Sequence, residues 1–438
     1  MATLRSILTT GKRRTRLLCV LFGGLIFVVT ALQIWNTFHL NNTQGIITDD
    51  CSITRDSLVC KFGKAWDTSG KHTDSAKEVK HIAFLKAHKV AGSTVMNLFM
   101  RFGYSRNLTF VLPKNSKNVI SQHGYLNDRD IHPQIDQGRF DMLCHHVVYN
   151  QSAWQRYLHK DAFYVSIIRD PFDQFLSSFH YFRKVWGVPY LHNITGEFPM
   201  TELLRHPERH EPKLPAYSFT NNRMALDFGF PPSLFDNPLP EQITKYISYL
   251  DSSFHFVMIK EHFDESVVLL KHFLSWTMKD ILYVRQNTIS FYRLHHDIQP
   301  GDRELHRQRA PLDYALYEYF LLRFWKQIRQ QDAEFHREVL YFKHLRGSVE
   351  TFCRHVFMKD IGVFETNHNQ WHMPFKVTKE DCYLIMMNEN DFSVLLKRKQ
   401  YPYLQPTSES RYGPKRSRKR TPRRLLPPHR PNIFKEPL

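Results

Sequence analysis

The sequence predicts an α/β protein: a central parallel sheet flanked by helices, behind an N-terminal transmembrane helix. Three observations predict it. Leu17–Trp35 is a 19-residue run without a charge. Downstream, short continuous apolar runs alternate with segments of helical periodicity, the pattern of strands buried on both faces between crossover helices. Two of those runs end in loops that combine cations with hydroxyls, where an α/β sheet places its ligands.

The uncharged run, LLCVLFGGLIFVVTALQIW, would span roughly 28 Å as a helix, close to the thickness of a bilayer's hydrocarbon core. A cleaved signal peptide would have a shorter apolar core and a small-x-small site, whereas Gln33-Ile34-Trp35 follows here. A buried core helix fits less well, because the segment is apolar all round. Arg5, Lys12, Arg13, Arg14 and Arg16 precede it without an acid and place the N-terminus in the cytoplasm. The expected organisation is a cytoplasmic tail (1–16), a signal anchor (17–35), a lumenal stem (36–79), a globular domain (80–404) and a basic tail (405–438). Sequons at Asn41, Asn107, Asn150 and Asn193 agree with a lumenal body. So do the cysteines: Cys51 and Cys60 could close a loop after the stem, and Cys353 and Cys382 could clip the C-terminal region. Cys144 sits in an apolar run and reads as a buried thiol.

Within the body, His81–Leu85 reads as a strand, followed by a polar loop and a helix through Thr94–Phe102. Leu108–Leu112 and Asp141–His145 are further strand candidates. Phe163–Ile168 is a near-continuous apolar run, and Pro171 starts the helix that follows it. Phe254–Ile259 reads as another buried strand, with an amphipathic helix over Phe263–Trp276. Leu312–Phe342 reads as one long helical stretch. From about Pro406 the Pro- and Arg-rich composition predicts no fixed structure.

The net charge of +18 would suggest nucleic acid, but its distribution does not. The five basic residues before the anchor and eight more within 411–424 account for most of it. The rest carries about +5, an ordinary value for a globular domain, and a lumenal tail would meet no nucleic acid. No Cys/His spacing resembles a zinc site, so no metal is expected.

The first loop is Lys86-Ala87-His88-Lys89-Val90-Ala91-Gly92-Ser93-Thr94. Two lysines, two hydroxyls and backbone N–H groups at a helix start suit a phosphate or sulfate group. The G-x-x-x-x-G-K-[ST] order is missing, which disfavours a GTPase or ATPase. The second loop begins at Arg169 and continues DPFDQFLSSFHYF. A guanidinium at a strand end, with Ser177 returning from the next helix, can hold a second phosphate. The plainer alternative is an Arg169–Asp173 pair capping the helix.

These loops carry a family resemblance. FLKAHKVAGST resembles the 5′-phosphosulfate loop, and IIRDPFDQFLSSFHYF the 3′-phosphate loop, of Golgi carbohydrate sulfotransferases. The HK pair, the SSFHYF helix, EHFDESVVLLK (261–271) and SWTMKDILYVRQN (275–287) are similar to the galactose-3-O-sulfotransferase family, which includes galactosylceramide sulfotransferases. The likeness runs from about His81 to Asn287 and more loosely to Cys353. Where that subgroup often has Ser, this chain has Gly92.

The resemblance implies a P-loop-like three-layer fold, a single-pass type II Golgi membrane protein and 3′-phosphoadenylyl sulfate as donor. Lys86, Lys89, Ala91, Gly92, Ser93, Thr94, Arg169 and Ser177 would bind that donor, with Lys89 on the leaving phosphate oxygen. The general base at the acceptor hydroxyl should be a histidine. His88, from the HK pair, and His146, after the Asp141–His145 run, compete for that role, with His88 slightly favoured. The acceptor would be a galactose-terminated glycan or galactosylceramide, sulfated at O3, with Phe179, His180, Tyr181 and Trp186 as candidate sugar-facing aromatics. The rivals are a glycosaminoglycan O-sulfotransferase and a non-catalytic, anchored glycan-binding protein. Glycolipid against glycoprotein acceptor, and whether the chain forms a homodimer, stay open at this level.

Overall fold

The computed structural model describes residues 77–114, 118–135, 138–285, 298–358 and 362–404. They belong to one compact unit that begins at Gly70. The expected anchor, the stem with Cys51 and Cys60, Asn41, the basic tail and most of the 275–287 motif's far end lie outside these residues. Among the described residues no helix is long and apolar enough to cross a membrane.

Four parallel strands form the central sheet: β1 (Ile82–Leu85), β2 (Met142–Leu143), β3 (Phe163–Ile168) and β4 (Phe256–Ile259), in the order β2-β1-β3-β4. Every residue of the four strands is buried, which is why they read as unbroken apolar runs and not as alternating ones. The expected strand at Leu108–Leu112 is absent. Only Phe110 bridges to Met142, because Thr109 and Val111 take the two ladder bonds that β2's short edge offers. The strand expected at 141–145 is likewise cut to two residues.

Helix α1 (Gly92–Ser105) follows β1, α2 (Gln151–Tyr157) lies between β2 and β3, and α3 (Pro171–His180) follows β3. Asn150 caps α2 by accepting from the Ala153 N–H at 2.9 Å. Asp170 caps α3, and Pro171 occupies its first turn. A π-helical turn, Tyr181–Val185, extends α3. After it come a short helix α4 (Arg223–Asp227), then α5 (Pro240–Ser253) before β4 and α6 (Phe263–Leu274) after it. Ser275, at φ 52°, ends α6 in the left-handed conformation.

The long C-terminal helical stretch is not one helix. After α7 (Asp302–Arg309), residues 312–342 divide between α8 (Pro311–Arg329) and α9 (Ala333–His355). The break falls where Asp332 turns its side chain to the Phe335 N–H and starts α9 afresh. A two-stranded antiparallel pair, β5 (Phe364–Glu365) with β6 (Lys376–Val377), leads to α10 (Lys379–Met386) and α11 (Glu389–Gln400).

One apolar core surrounds the sheet, and a second gathers Phe172, Phe175, Phe179 and Phe182 on the far side of α3. Phe179 therefore serves that core and does not face a ligand. Asn107 and Asn193 are exposed, Asn150 half-buried. Cys353 and Cys382 form a disulfide joining α9 to α10, and Cys144 is a buried free cysteine whose thiol burial pushes up.

The disulfide closes a loop of 29 residues. Replacing both Cys353 and Cys382 by Ser should cost about 3 kcal/mol of stability, read as a lower midpoint in denaturant unfolding. Gly229, at φ 72°, lies against the Tyr149 carbonyl, which an added Cβ would approach to 2.2 Å. Gly229→Ala should shift the backbone there and lower the melting temperature clearly, whereas Gly301→Ala, with nothing within 4 Å, should do so less.

Candidate active site

The strand order explains why the two loops meet. The chain leaves β1 towards β2 on one side and leaves β3 towards β4 on the other. The C-terminal ends of β1 and β3 therefore flank the point where connections diverge, the crevice in which open α/β sheets bind ligands.

The β1–α1 loop is bent by two left-handed residues, Lys89 at φ 60° and Ala91 at φ 70°. Non-glycine residues there cost about 1–3 kcal/mol each and concentrate at functional sites. The loop then enters α1 at Gly92, so that the amides of Ser93 and Thr94 stand at a helix N-terminus. A Cβ at position 92 would lie 3.0 Å from Lys86 Cγ and 3.3 Å from the Ala87 carbonyl oxygen. Glycine there leaves the Lys86 stem undisturbed. Lys86 is 2% exposed, and its ammonium donates to Glu389 Oε2 at 2.5 Å. Ser93 Oγ donates to the same oxygen at 2.5 Å. Lys89 Nζ lies 3.6 Å from the centre of the Tyr181 ring. Burial, with Arg169 and Lys86 nearby, lowers the Lys89 pKa to about 8 despite the opposing pull of Glu389.

Arg169 leaves the end of β3 towards this loop. Its Nη1 donates to the Lys89 carbonyl at 3.4 Å and its Nη2 lies 3.6 Å from Asp173. Asp173 and Ser177 are four residues apart on α3 and share a face, so Ser177 stands on the side of the helix whose Asp173 meets Arg169. The helix-capping alternative is thus part of the arrangement, in the form of a long Arg169–Asp173 pair. Arg169 Nε is buried without a hydrogen-bond partner. Lys260, whose pKa is lowered by burial and by Arg169, adds a further cation.

The two candidate bases touch. The rings of His88 and His146 stack with centroids 4.2 Å apart. His146 Nδ1 donates to the Lys86 carbonyl at 2.8 Å. His88 Nδ1 lies 2.8 Å from Asp227 Oδ2, which also accepts from the His88 backbone N–H at 2.8 Å. Asp227, at the end of α4, is held in turn by Arg223 Nη2 at 3.0 Å. Arg223 Nε also stands 3.2 Å from His88 Nδ1, but one nitrogen cannot donate to Asp227 and accept from Arg223. The shorter contact, to a carboxylate, assigns the proton to Nδ1. Each histidine thus keeps its lone pair on Nε2, which makes no hydrogen bond among the described residues. Burial, reinforced by Arg223 and outweighing Asp227, lowers the His88 pKa to about 4. Burial, then Lys86, holds His146 well below its usual range. Both rings are neutral near pH 7. His145 points the other way, to Ser393 Oγ at 2.9 Å.

Sequence reasoning missed Arg223, Asp227 and Glu389. The first two carry a weak signal, an Arg-x3-Asp pair inside an apolar stretch; Glu389 carries none. Of the candidate aromatics, Tyr181 flanks Lys89, His180 is buried and Trp186 is 56% exposed. Trp186 lines a cleft of about 580 Å³ with Asn118, Ser121, Gln122 and Asn390, beside Glu389 and the Arg223–Gln122 contact. Residues 286–297, which take in the last two positions of the 275–287 motif, lie outside the described residues. His81, His159 and Asp161 bring three potential metal ligands within 4.8 Å, but at the opposite, N-terminal end of the strands. Their two imidazoles are stacked at 9°, so the in-plane lone pairs do not converge on one point.

A strand-end crevice with two cation-and-hydroxyl loops and a neutral histidine pair has the make-up of a group-transfer site. A sequence model of the Galactose-3-O-sulfotransferase family matches residues 4–373, and the chain belongs to that family. It is 30% identical over 279 residues to a galactosylceramide sulfotransferase of Homo sapiens, covering 63% of this chain and 64% of the relative. It is 32% identical over 276 residues to galactose-3-O-sulfotransferase 2 of Homo sapiens, covering 62% and 65%. With galactose-3-O-sulfotransferase 3 of Mus musculus it shares 29% identity over 356 residues, covering 75% and 80%. The chain thus spans just under two thirds of the length of the first two.

Asp227→Asn should remove the carboxylate that fixes the His88 tautomer and lower turnover roughly 10²–10⁴-fold with little change in donor affinity. The pH profile of turnover should have two limbs. The rate rises as His88 loses its proton near its pKa of about 4 and falls as Lys89 loses its charge near about 8. A rate measured from pH 3.5 to 9.5 checks both.

Proposed function

We propose that this chain transfers the sulfuryl group of 3′-phosphoadenylyl sulfate to O3 of a terminal galactose on a glycolipid or glycoprotein glycan. The observation that carries the reading is the pair of cation-and-hydroxyl loops on either side of the sheet's switch point, with a neutral histidine pair beside them. The residues fit such a donor: Arg169 Nε is a buried donor without a partner, and Ser177 Oγ makes no hydrogen bond among the described residues. Lys89 makes no ion pair among them either.

In this reading the hydroxyls of Ser93 and Thr94, with the Ser93 amide and Lys86, hold the 5′ side, while Arg169 and Ser177 hold the 3′-phosphate; the Thr94 amide is spent on the Ala91 carbonyl at 3.1 Å. When bound, the donor supplies the sulfuryl group and leaves as the bisphosphate. Positioning and charge stabilisation dominate such a transfer. The Lys89 ammonium offsets the negative charge that grows on the leaving oxygen. His88 Nε2 accepts the proton of the acceptor hydroxyl, and Asp227, with Arg223 behind it, holds the ring for that task. His146 packs on that base with its ring centroid 4.2 Å away. The exposed Trp186 and the amides lining its cleft suit a sugar ring, with its apolar face and polar edge. The membrane reading, a single-pass type II Golgi protein, is supported by the uncharged run at 17–35 with its basic flank and by the sequons.

The test is sulfate transfer by the full-length chain in detergent. Radiolabelled donor would be offered with galactosylceramide, lactose-type and N-acetyllactosamine-type glycans, and heparan. Label on galactosides is expected, falling at least about 10²-fold in Lys89→Ala. Label on heparan alone would shift the acceptor to a glycosaminoglycan. Donor binding without transfer to any acceptor would point to an anchored glycan-binding protein.

A further inference from the structure

The donor loop already holds an anion, and the chain itself provides it. Glu389, the first residue of α11, places Oε2 at 2.5 Å from both Lys86 Nζ and Ser93 Oγ, and Oε1 at 2.5 Å from Asn118 Nδ2. These are contacts of the kind a phosphate or sulfate oxygen would seek in the same loop. A serine hydroxyl has one proton to donate, and that of Ser93 is committed to Glu389. Lys86, at 2% exposure, has almost no face left for another partner. Burial opposes the charge on Glu389, but Lys86 and the three hydrogen bonds outweigh it and hold its pKa down at about 2. It is therefore an anion at every physiological pH.

The segment that delivers Glu389 is fastened independently of this contact. Cys382 ties α10 to α9, Lys279 pairs with Asp381 at 2.9 Å, and Asn97 donates to the carbonyls of Leu384 and Met387 at 2.9 and 3.1 Å. At the other end, Gln400 accepts from the Phe110 N–H at 2.8 Å and donates to the Phe110 carbonyl at 3.0 Å. Releasing Glu389 thus needs only its side chain and the first turn of α11 to move. The segment also lies beyond residue 373, where the family match ends.

We propose that Glu389 is the affinity-setting residue of the donor site: its carboxylate occupies the hydrogen-bond donors of the β1–α1 loop and is displaced when the donor's anionic group binds. The inference rests on reading that loop as the donor's 5′ site. Competition of this kind lowers apparent affinity by the fraction of molecules in which the loop is open. It also gives the spent bisphosphate a competitor for the loop, which favours its release. A carboxylate that served only as a counter-ion to the buried Lys86 would stay in place and would strengthen donor binding by positioning the lysine.

The experiment measures binding of 3′-phosphoadenosine 5′-phosphate, the unreactive product, to the full-length chain by calorimetry. Glu389→Gln keeps the shape and removes the charge, and should bind roughly five- to tenfold more tightly than wild type. Because the change leaves Lys86 without a counter-ion, a melting curve accompanies it, and hydrogen exchange on the wild-type protein gives a reading that needs no variant. Saturating ligand should slow exchange across 86–94 and accelerate it across 389–393. Equal or weaker binding by a folded Glu389→Gln, or slowed exchange across 389–393 in wild type, overturns the proposal while leaving the donor reading intact. Absence of binding to both proteins overturns the donor reading and this inference with it.

Discussion

The divergence of chain connections at β1 and β3 is the constraint on which the rest of the site depends. Adjacent parallel strands whose crossovers run to the same side would cover each other's ends with helix and loop. Here the path out of β1 runs to β2 and the path out of β3 runs to β4, so the space above the β1–β3 pair stays open. Two loops from distant parts of the sequence then face one volume. The Arg169–Lys89 contact at 3.4 Å is the direct sign that they do.

That convergence creates an electrostatic problem, which the fold solves unevenly. Buried cations repel each other and are poorly solvated, so each requires an opposite charge or loses its proton. Lys86 has Glu389, Arg223 has Asp227, and Arg169 has Asp173 at the longer distance of 3.6 Å. Among the described residues Lys89 makes no ion pair: it has the face of Tyr181 and the more distant charge of Glu389. The lysine given the leaving-group role is therefore the one whose charge the resting protein neutralises least. A site that stabilises charge developing in a reaction needs a cation that is not already satisfied. The lowered pKa of Lys89 and its suitability for the reaction have the same physical origin.

The parts of this site that lie in continuous sequence were legible. β3 read correctly from Phe163 to Ile168 because a strand buried on both faces leaves an unbroken apolar run, and the cation-hydroxyl loops announced themselves at the ends of such runs. Boundaries set by a single hydrogen bond were not legible: nothing in LTFVL says that β2 offers it too short an edge, and nothing in 312–342 outranks Asp332 as a cap except the cap itself. The long-range pairs were hidden for a different reason. His88 and Asp227 are 139 residues apart, and Lys86 and Glu389 are 303 apart. An acidic residue at the head of a surface-looking helix carries no mark of the cavity it will enter. Sequence pattern records which residues are local partners on one face, while these contacts are set by the packing of α4 and α11 against the sheet's ends.

The histidine pair shows how packing separates two rings between which sequence favoured His88 only slightly. Both rings spend their Nδ1 proton on an oxygen, His88 on a carboxylate and His146 on a backbone carbonyl. A carboxylate stabilises an imidazolium far better than a carbonyl does, because it adds a full opposite charge to the hydrogen bond. The rings are also close enough that charge on one disfavours charge on the other, so the pair takes up one proton and not two. That proton belongs on the ring with the better counter-charge. Under the proposed transfer, His88 is then the ring to receive the acceptor's proton. His146, held by Lys86's own carbonyl, links His88 to the β1–α1 loop.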